Sequence, residues 1–242
     1  MKPQYNGGGN CVHWISDIKL SPFDSDTALF NTGTGLFMIT GLASGDVLVK
    51  PFCEGIEETV HLNVYTTPHG RNRIIDIIGD LGGFAFEDYD SECENSFANE
   101  NGDRYITCLN ADLTLSDPEY IVATPRGNWP GKTKGGLILS KDCGSTWERL
   151  SMPRGLSEFI DQKLDNIEKP NVDSGWTAIS ADGKRIMWAV AGGRGFSNKA
   201  VCYTDDEGKT WQKSIFMDSN GNSADEHNVK IFSDYYNSDL FF

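Results

Sequence analysis

The chain has 242 residues, a formal net charge of −14 and a hydrophobic share of 38%. This length is enough for one large all-β domain or two small ones. The acidic balance argues against nucleic acid or an anionic membrane as a partner, because both are negatively charged and bind proteins through Lys and Arg. No apolar run is long enough to span a bilayer, and the first ten residues, MKPQYNGGGN, are not a signal peptide. We expect 1–10 to be a flexible segment ahead of a folded domain over 11–242.

The first predicted element is a strand that begins near Asp17. Ile18 and Leu20 alternate with polar neighbours, so we expect them to enter the packed face of a sheet while Asp17 faces the opposite side. His13 and Trp14 come just before, and an aromatic plane beside an acid is what a sugar-binding cleft needs. On these residues alone a structural role is favoured, with Asp17 capping a turn and Trp14 filling a core.

After this strand the chain repeats one pattern of short strands, polar turns and Gly-rich loops. The clearest units read LTLSDPEYIVATPRG…GGLILSKDCGSTWERL and TAISADGKRIMWAVAGG…KAVCYTDDEGKTWQKS, and weaker copies precede them. Counting all copies gives four units and the start of a fifth, VKIFSDYYNSDLFF. This predicts an all-β fold, a β-propeller with four-stranded antiparallel blades. The best helix candidate, Leu156–Ile167, is a short one.

A propeller must close, because an open arc leaves strand edges and one blade face uncovered. Four blades and part of a fifth do not make a comfortable ring. We therefore expect an incomplete part of a larger propeller, or one that closes with strands from a partner copy.

Two turns in the repeats match the Asp-box pattern S/T-x-D-x-G-x-T-W. Their acids are expected to accept hydrogen bonds from turn amides, their glycines to adopt positive φ, and their tryptophans to cover the hairpin. The predicted role is structural and lies away from any central site. The residues concerned are Asp142, Gly144, Trp147, Asp206, Gly208 and Trp211.

The cysteines offer no metal-binding pattern, since none forms a C-x-x-C pair. The best guess for a disulfide is Cys93–Cys108, which flank a polar stretch. The four histidines show no metal-ligand spacing, so we expect neither a metal nor a cofactor.

Trp129, on a polar loop, is a candidate sugar platform. Asp80, in GDLGGF, is the runner-up acid: a carboxylate flanked by Gly on an inner strand would allow close ligand approach, although a turn-stabilising role is the more probable alternative.

The assembled motifs resemble the xyloglucanases of glycoside hydrolase family 74. HWISDIKLSPFDSDTALFNTGTG is similar to the start of that family's second propeller. Gly55–Gly70 followed by Ile77–Asp90 is similar to a block typical of the family. The resemblance runs from about Cys11 to the C-terminus. It implies part of a seven-bladed propeller.

The resemblance also implies a function. The family's enzymes hydrolyse the β-1,4-glucan backbone of xyloglucan with inversion, using one Asp from each of two propellers. Asp17 matches the catalytic acid of the second propeller, with His13, Trp14 and Trp129 as expected substrate contacts. The partner base belongs to the first propeller, which these residues do not include, so we expect weak or no activity of the chain alone. The parent protein is expected to be extracellular.

A different class of function stays open. The chain would then be a non-catalytic Asp-box module that binds glycan or protein. A second Asp motif in a preceding propeller separates the two hypotheses, and these residues do not contain it.

Overall fold

A computed structural model describes residues 14–33, 35–55, 59–93, 95–127, 133–151, 175–191, 198–223 and 229–242. The predicted all-β class with four-stranded antiparallel sheets is confirmed. Within these ranges, sixteen strands form four separate sheets, and each sheet is a meander whose strands neighbour one another in chain order. No helix long and apolar enough to cross a membrane occurs in the described ranges. The helix candidate at 156–167 lies outside them.

The chain divides into two compact units, Met1–Thr59 and Val60–Phe242. The first unit contains sheet 1. Its strands are β1 (Asp17–Leu20), β2 (Ala28–Thr32), β3 (Gly35–Thr40) and β4 (Leu48–Pro51). The small core of this unit includes Phe30 and Phe37, which pair across β2 and β3 with ring centroids 5.3 Å apart.

The second unit contains sheets 2, 3 and 4. Sheet 2 consists of β5 (His61–Thr66), β6 (Ile74–Ile78), β7 (Gly82–Phe86) and β8 (Asn95–Ser96). Sheet 3 consists of β9 (Cys108–Leu113), β10 (Ile121–Pro125), β11 (Ile138–Ser140) and β12 (Glu148–Arg149). Sheet 4 consists of β13 (Trp176–Ile179), β14 (Ile186–Ala191), β15 (Asn198–Thr204) and β16 (Gln212–Lys213). A bridge between Ser233 and Phe241 begins a further hairpin.

Strand alternation divides sheet 3 between two cores. Ile121, Ala123 and Ile138 pack with sheet 2, whereas Val122 and Leu139 pack with sheet 4. Successive side chains on a strand point to opposite faces, so a sheet buried on both sides reads as a continuous apolar run. The run IVAT in β10 is such a segment. Sheet 3 is therefore stacked between its two neighbours in the second unit.

The proposed Cys93–Cys108 disulfide is wrong, because both residues are free thiols. Cys108 is buried, and its Sγ donates to the Asn110 carbonyl at 3.3 Å. Cys93 Sγ donates instead to the Asn95 carbonyl at 3.3 Å. The polar stretch between the two cysteines gave no information on where their side chains would point, and it carries strand β8 rather than a single loop.

Candidate functional site

Asp17 opens β1, and its side chain is 58% exposed. Its Oδ2 lies 3.1 Å from Lys19 Nζ, and its Oδ1 accepts the Ile18 amide at 2.8 Å. The Lys19 contact, followed by the Ile18 hydrogen bond, lowers the pKa of Asp17 below its usual value. In this chain Asp17 is therefore a carboxylate at neutral pH, whereas a general acid needs a raised pKa.

Trp14 lies at the same end of sheet 1 and is 79% exposed. Its φ of 57° turns the backbone sharply just before the strand. The six-membered part of its indole ring lies against Gly33, since a Cβ built on Gly33 would be 2.5 Å from Trp14 Cε3. Trp14 is thus not a core residue. It is a supported, exposed aromatic side chain three positions before Asp17.

Asn31 joins this segment to β2. It is the residue paired with Asp17 across the ladder, and its Oδ1 accepts the Asp17 amide at 3.0 Å. Its Nδ2 donates to Ser16 Oγ at 2.6 Å. Sequence reasoning missed both Asn31 and Gly33. The one available signal was the polar, Gly-containing end of an otherwise apolar strand.

The structure corrects the expected burial of β1. Ile18 and Leu20 are 56% and 67% exposed, so the alternation did not mark a packed face. The physical reason is that both faces of β1 are exposed, whereas β9 and β13, which are also edge strands, are buried by packing against a neighbouring sheet. Among the substrate-contact candidates, His13 and Trp129 lie outside the described residues.

Asp80 is not on an inner strand, which corrects the reason for considering it. It lies in the tight turn between β6 and β7 with φ of 62°, and its amide donates to Thr107 Oγ1 at 3.0 Å. Its location agrees with the turn-stabilising alternative. Asp80 and Asp17 belong to different units of the chain.

The two S/T-x-D-x-G-x-T-W segments, 140–147 and 204–211, form turns that we call the aspartate turns. Asp142 Oδ1 accepts the Thr146 amide at 2.8 Å, and its Oδ2 accepts the Thr146 hydroxyl at 2.6 Å. Asp206 makes the same two bonds to Thr210, at 2.8 and 2.7 Å. The hydroxyl bond from Thr210 is the largest cause that lowers the pKa of Asp206, to about 2. These bonds engage both carboxylate oxygens within the turns.

Internal register distinguishes Asp17 from the other sheets. In each of the four sheets, the first two strands form a hairpin, and one backbone amide donates to a carbonyl across the turn. The donors are Ser21, Thr67, Thr114 and Ser180. Counting four residues back from each donor gives Asp17, Asn63, Asn110 and Trp176. Among the four described sheets, a carboxylate occupies this position in sheet 1 alone.

Asp112 is a buried acid that sequence reasoning did not single out. It is 7% exposed, and its Oδ2 accepts the Ile179 amide of β13 at 2.9 Å and the Ser233 hydroxyl at 2.7 Å. Burial raises its pKa to about 6, against the lowering effect of these hydrogen bonds. The available signal was the period-two polar series Asn110, Asp112 and Thr114 within a strand.

Comparison with curated proteins finds relatives of one kind. A xyloglucanase from Paenibacillus sp is 24% identical over 234 residues, which cover 94% of this chain and 20% of that protein. An oligoxyloglucan-reducing end-specific xyloglucanase from Emericella nidulans is 27% identical over 184 residues, covering 74% of this chain and 21% of that protein. The chain thus spans about a fifth of these relatives' length. No family model matches the chain.

Solved structures give the same fold. The glycoside hydrolase family 74 xyloglucanase from Xanthomonas campestris superposes with a TM-score of 0.57 and 21% identity, covering 90% of this chain and 27% of that one. A family 74 enzyme from Niastella koreensis gives a TM-score of 0.58 and 19% identity, covering 95% and 27%. These comparisons confirm the resemblance read from the sequence: the chain is similar to part of these xyloglucanases, and its fold is that of the glycoside hydrolase family 74 structures.

Proposed function

We propose that this chain supplies one wall of a cleft that hydrolyses the β-1,4-glucan backbone of xyloglucan, with Asp17 as general acid. The observation that carries the proposal is the exposed pair Trp14 and Asp17, held at one end of sheet 1 in a relative of xyloglucanases. An aromatic ring stacks on the apolar face of a pyranose, and a carboxyl group beside it reaches the glycosidic oxygen.

The proposed chemistry is inverting hydrolysis. Asp17 donates its proton to the leaving glycosidic oxygen, while a second carboxylate takes a proton from water as that water attacks the anomeric carbon. The two carboxyl groups of such a pair stand roughly 6.5–9.5 Å apart. We assign the second group to a first propeller, outside these residues. Closure of that propeller over Asp17 would exclude water and place a like charge opposite, and both effects raise the pKa of an acid.

For the chain alone, a second function competes. The Lys19 contact lowers the pKa of Asp17, which does not suit a proton donor. An exposed tryptophan and an ionised acid suffice for holding a sugar without cleaving it. The chain by itself is therefore proposed to bind glucan and to turn it over weakly or not at all.

The test measures oligosaccharide affinity by calorimetry and the release of reducing ends from xyloglucan. We expect the 242-residue chain to bind and to hydrolyse weakly, and a fusion behind a propeller carrying an inward Asp to hydrolyse efficiently. In the fusion, Asp17→Asn should lower turnover by at least about 100-fold with little change in binding. Asp46→Asn removes another exposed acid of the same unit and should change neither quantity.

Two results would reject the proposal. One is a chain and a fusion that neither bind nor hydrolyse xyloglucan. The other is a fusion whose turnover survives Asp17→Asn, which would place the acid elsewhere.

A further inference from the structure

The chain enters sheet 1 at Asp17, the first residue of β1. The Asp17 amide bonds to the Asn31 side chain, at 3.0 Å. The same side chain donates to Ser16 Oγ, at 2.6 Å, so one amide group holds two consecutive residues of the entering segment. Asn31 is directly opposite Asp17 in the ladder, so this clasp fixes the start of the strand that carries the acid.

Trp14, three residues before Asp17, has a positive φ of 57°. Its positive φ directs the indole ring over the end of β2, where Gly33 provides a surface without a side chain. A Cβ at Gly33 would lie 2.5, 3.3 and 3.4 Å from three indole carbons. Only a residue without Cβ leaves room for the ring there. Gly33 does not have a φ in the left-handed region, so the backbone itself would accept alanine.

We propose that Asn31 and Gly33 are positioning residues that hold Trp14 and Asp17 in one fixed arrangement for binding a β-linked glucan chain. Asn31 sets the acid and Gly33 sets the ring, and both lie at the same end of β2. A ring that is already in place loses less side-chain entropy when the sugar binds, which improves affinity without a new contact. This inference rests on the proposed function of the pair.

The test uses the 242-residue chain labelled with 5-fluorotryptophan, with the Trp14 resonance assigned by its loss in Trp14→Phe. In Gly33→Ala the added methyl occupies the ring's place, so we expect the Trp14 resonance to shift. We expect affinity for xyloglucan oligosaccharides to fall about threefold to tenfold, as in Trp14→Ala. Asn31→Ala should likewise shift the Trp14 resonance and lower the affinity. Asn31→Asp keeps an oxygen for each of the two partners, so its Trp14 resonance should match that of the wild type.

Gly45→Ala is the matched control in the same unit. It adds the same methyl where nothing lies within 4 Å, at φ of +83°, so it strains the backbone more than Gly33→Ala does. It should lower the melting temperature yet leave the Trp14 resonance and the affinity unchanged.

The outcomes distinguish an error in the role given to Asn31 and Gly33 from an error in the proposed function. An unchanged Trp14 resonance in Gly33→Ala would overturn the inference. So would a shifted resonance with unchanged glucan affinity. A wild-type chain whose Trp14 resonance does not respond to xyloglucan oligosaccharide would overturn both the proposed function and the role given to Asn31 and Gly33.

Discussion

At the scale of single residues, two aspartates on first strands have opposite surroundings. Asp17 is exposed beside Lys19, which lowers its pKa. Asp112 is buried and faces Tyr65 from β5 and Tyr235 from the last hairpin, with no cation among the groups that shift its pKa. Burial disfavours the charged form, so the same residue type holds its proton to higher pH inside the molecule.

Replacing Asp112 should therefore change how stability depends on pH. Its pKa is about 6 in the folded chain against an ordinary value of 3.8, so the folded state binds the extra proton between these values. Stability from this group is fully present below about pH 4 and falls by up to about 3 kcal/mol as pH rises through 6. Asp112→Asn mimics the protonated acid and should remove this fall.

Urea unfolding between pH 4 and pH 7 measures the effect. Asp112→Asn should match the wild type near pH 4 and exceed its stability at pH 7. A variant less stable than wild type at pH 7 would show that the ionised form of Asp112 is the one that holds Ile179 and Ser233 together.

Replacing Lys19 tests the electrostatics of the candidate acid. Lys19→Met removes the largest cause of the lowered pKa of Asp17, so the pKa should rise toward its ordinary value. Carboxyl carbon NMR over a pH series measures it directly. Arg185→Met, which removes a cation from Asp205 in the other unit, should leave the titration of Asp17 unchanged. An unmoved Asp17 titration in Lys19→Met would mean that the 3.1 Å contact is not maintained in solution.

At the scale of elements, the aspartate turns differ in what their tryptophans contact. Trp147 is 5% exposed and packs on Phe97 of sheet 2, with ring centroids 4.3 Å apart. Trp211 is only partly buried, packs on Trp188 within sheet 4 at 5.9 Å and donates to the Ser151 carbonyl. The local hydrogen bonds are the same, so the difference arises from neighbouring sheets.

Truncating the two tryptophans should consequently have unequal effects. Trp147→Ala opens a cavity in the core between sheets 2 and 3 and should cost about 3–5 kcal/mol. Trp211→Ala removes a partly buried ring and should cost at most about 2 kcal/mol. Denaturant unfolding of both variants provides the comparison, and equal losses would show that the stacking of sheets does not set the cost.

At the scale of the whole molecule, the first unit exposes apolar side chains on both edge strands. Ile18 and Leu20 on β1, and Leu48 and Val49 on β4, are all at least 42% exposed. Exposed apolar edges favour association between chains. The second unit also exposes two apolar side chains on its edge strand β5, Leu62 and Val64, at 45% and 51%.

Making β1 polar should reduce self-association of the chain. The double variant Ile18→Thr and Leu20→Thr places β-branched residues in the strand and should lower the apparent mass at high concentration with little loss of melting temperature. Light scattering over a concentration series measures this. Phe30→Ala, at a 4% exposed position, is the contrast and should lower the melting temperature clearly. Unchanged association of the double variant would show that another surface is responsible for self-association.

The sequence by itself determined the repeat, the all-β class and the positions of the aspartate turns. These features depend on short-range physics. The side chain of Asp142 bonds four residues ahead, and strand alternation is a property of neighbouring residues. The resemblance carried by HWISDIKLSPFD likewise pointed to Asp17, because a short motif can be read directly from consecutive residues.

Tertiary structure alone decided which of these residues are buried, paired or supported. Asp112 acquires its raised pKa from burial in the folded chain, against the lowering effect of hydrogen bonds from Ser233, 121 residues away, and from Ile179 of the next sheet. Ile18 is exposed because no other sheet covers its face of β1, and Trp14 packs where it does because Gly33 follows the neighbouring strand β2. Such contacts join residues far apart in the chain, and a local sequence pattern does not specify which distant residue a side chain will contact.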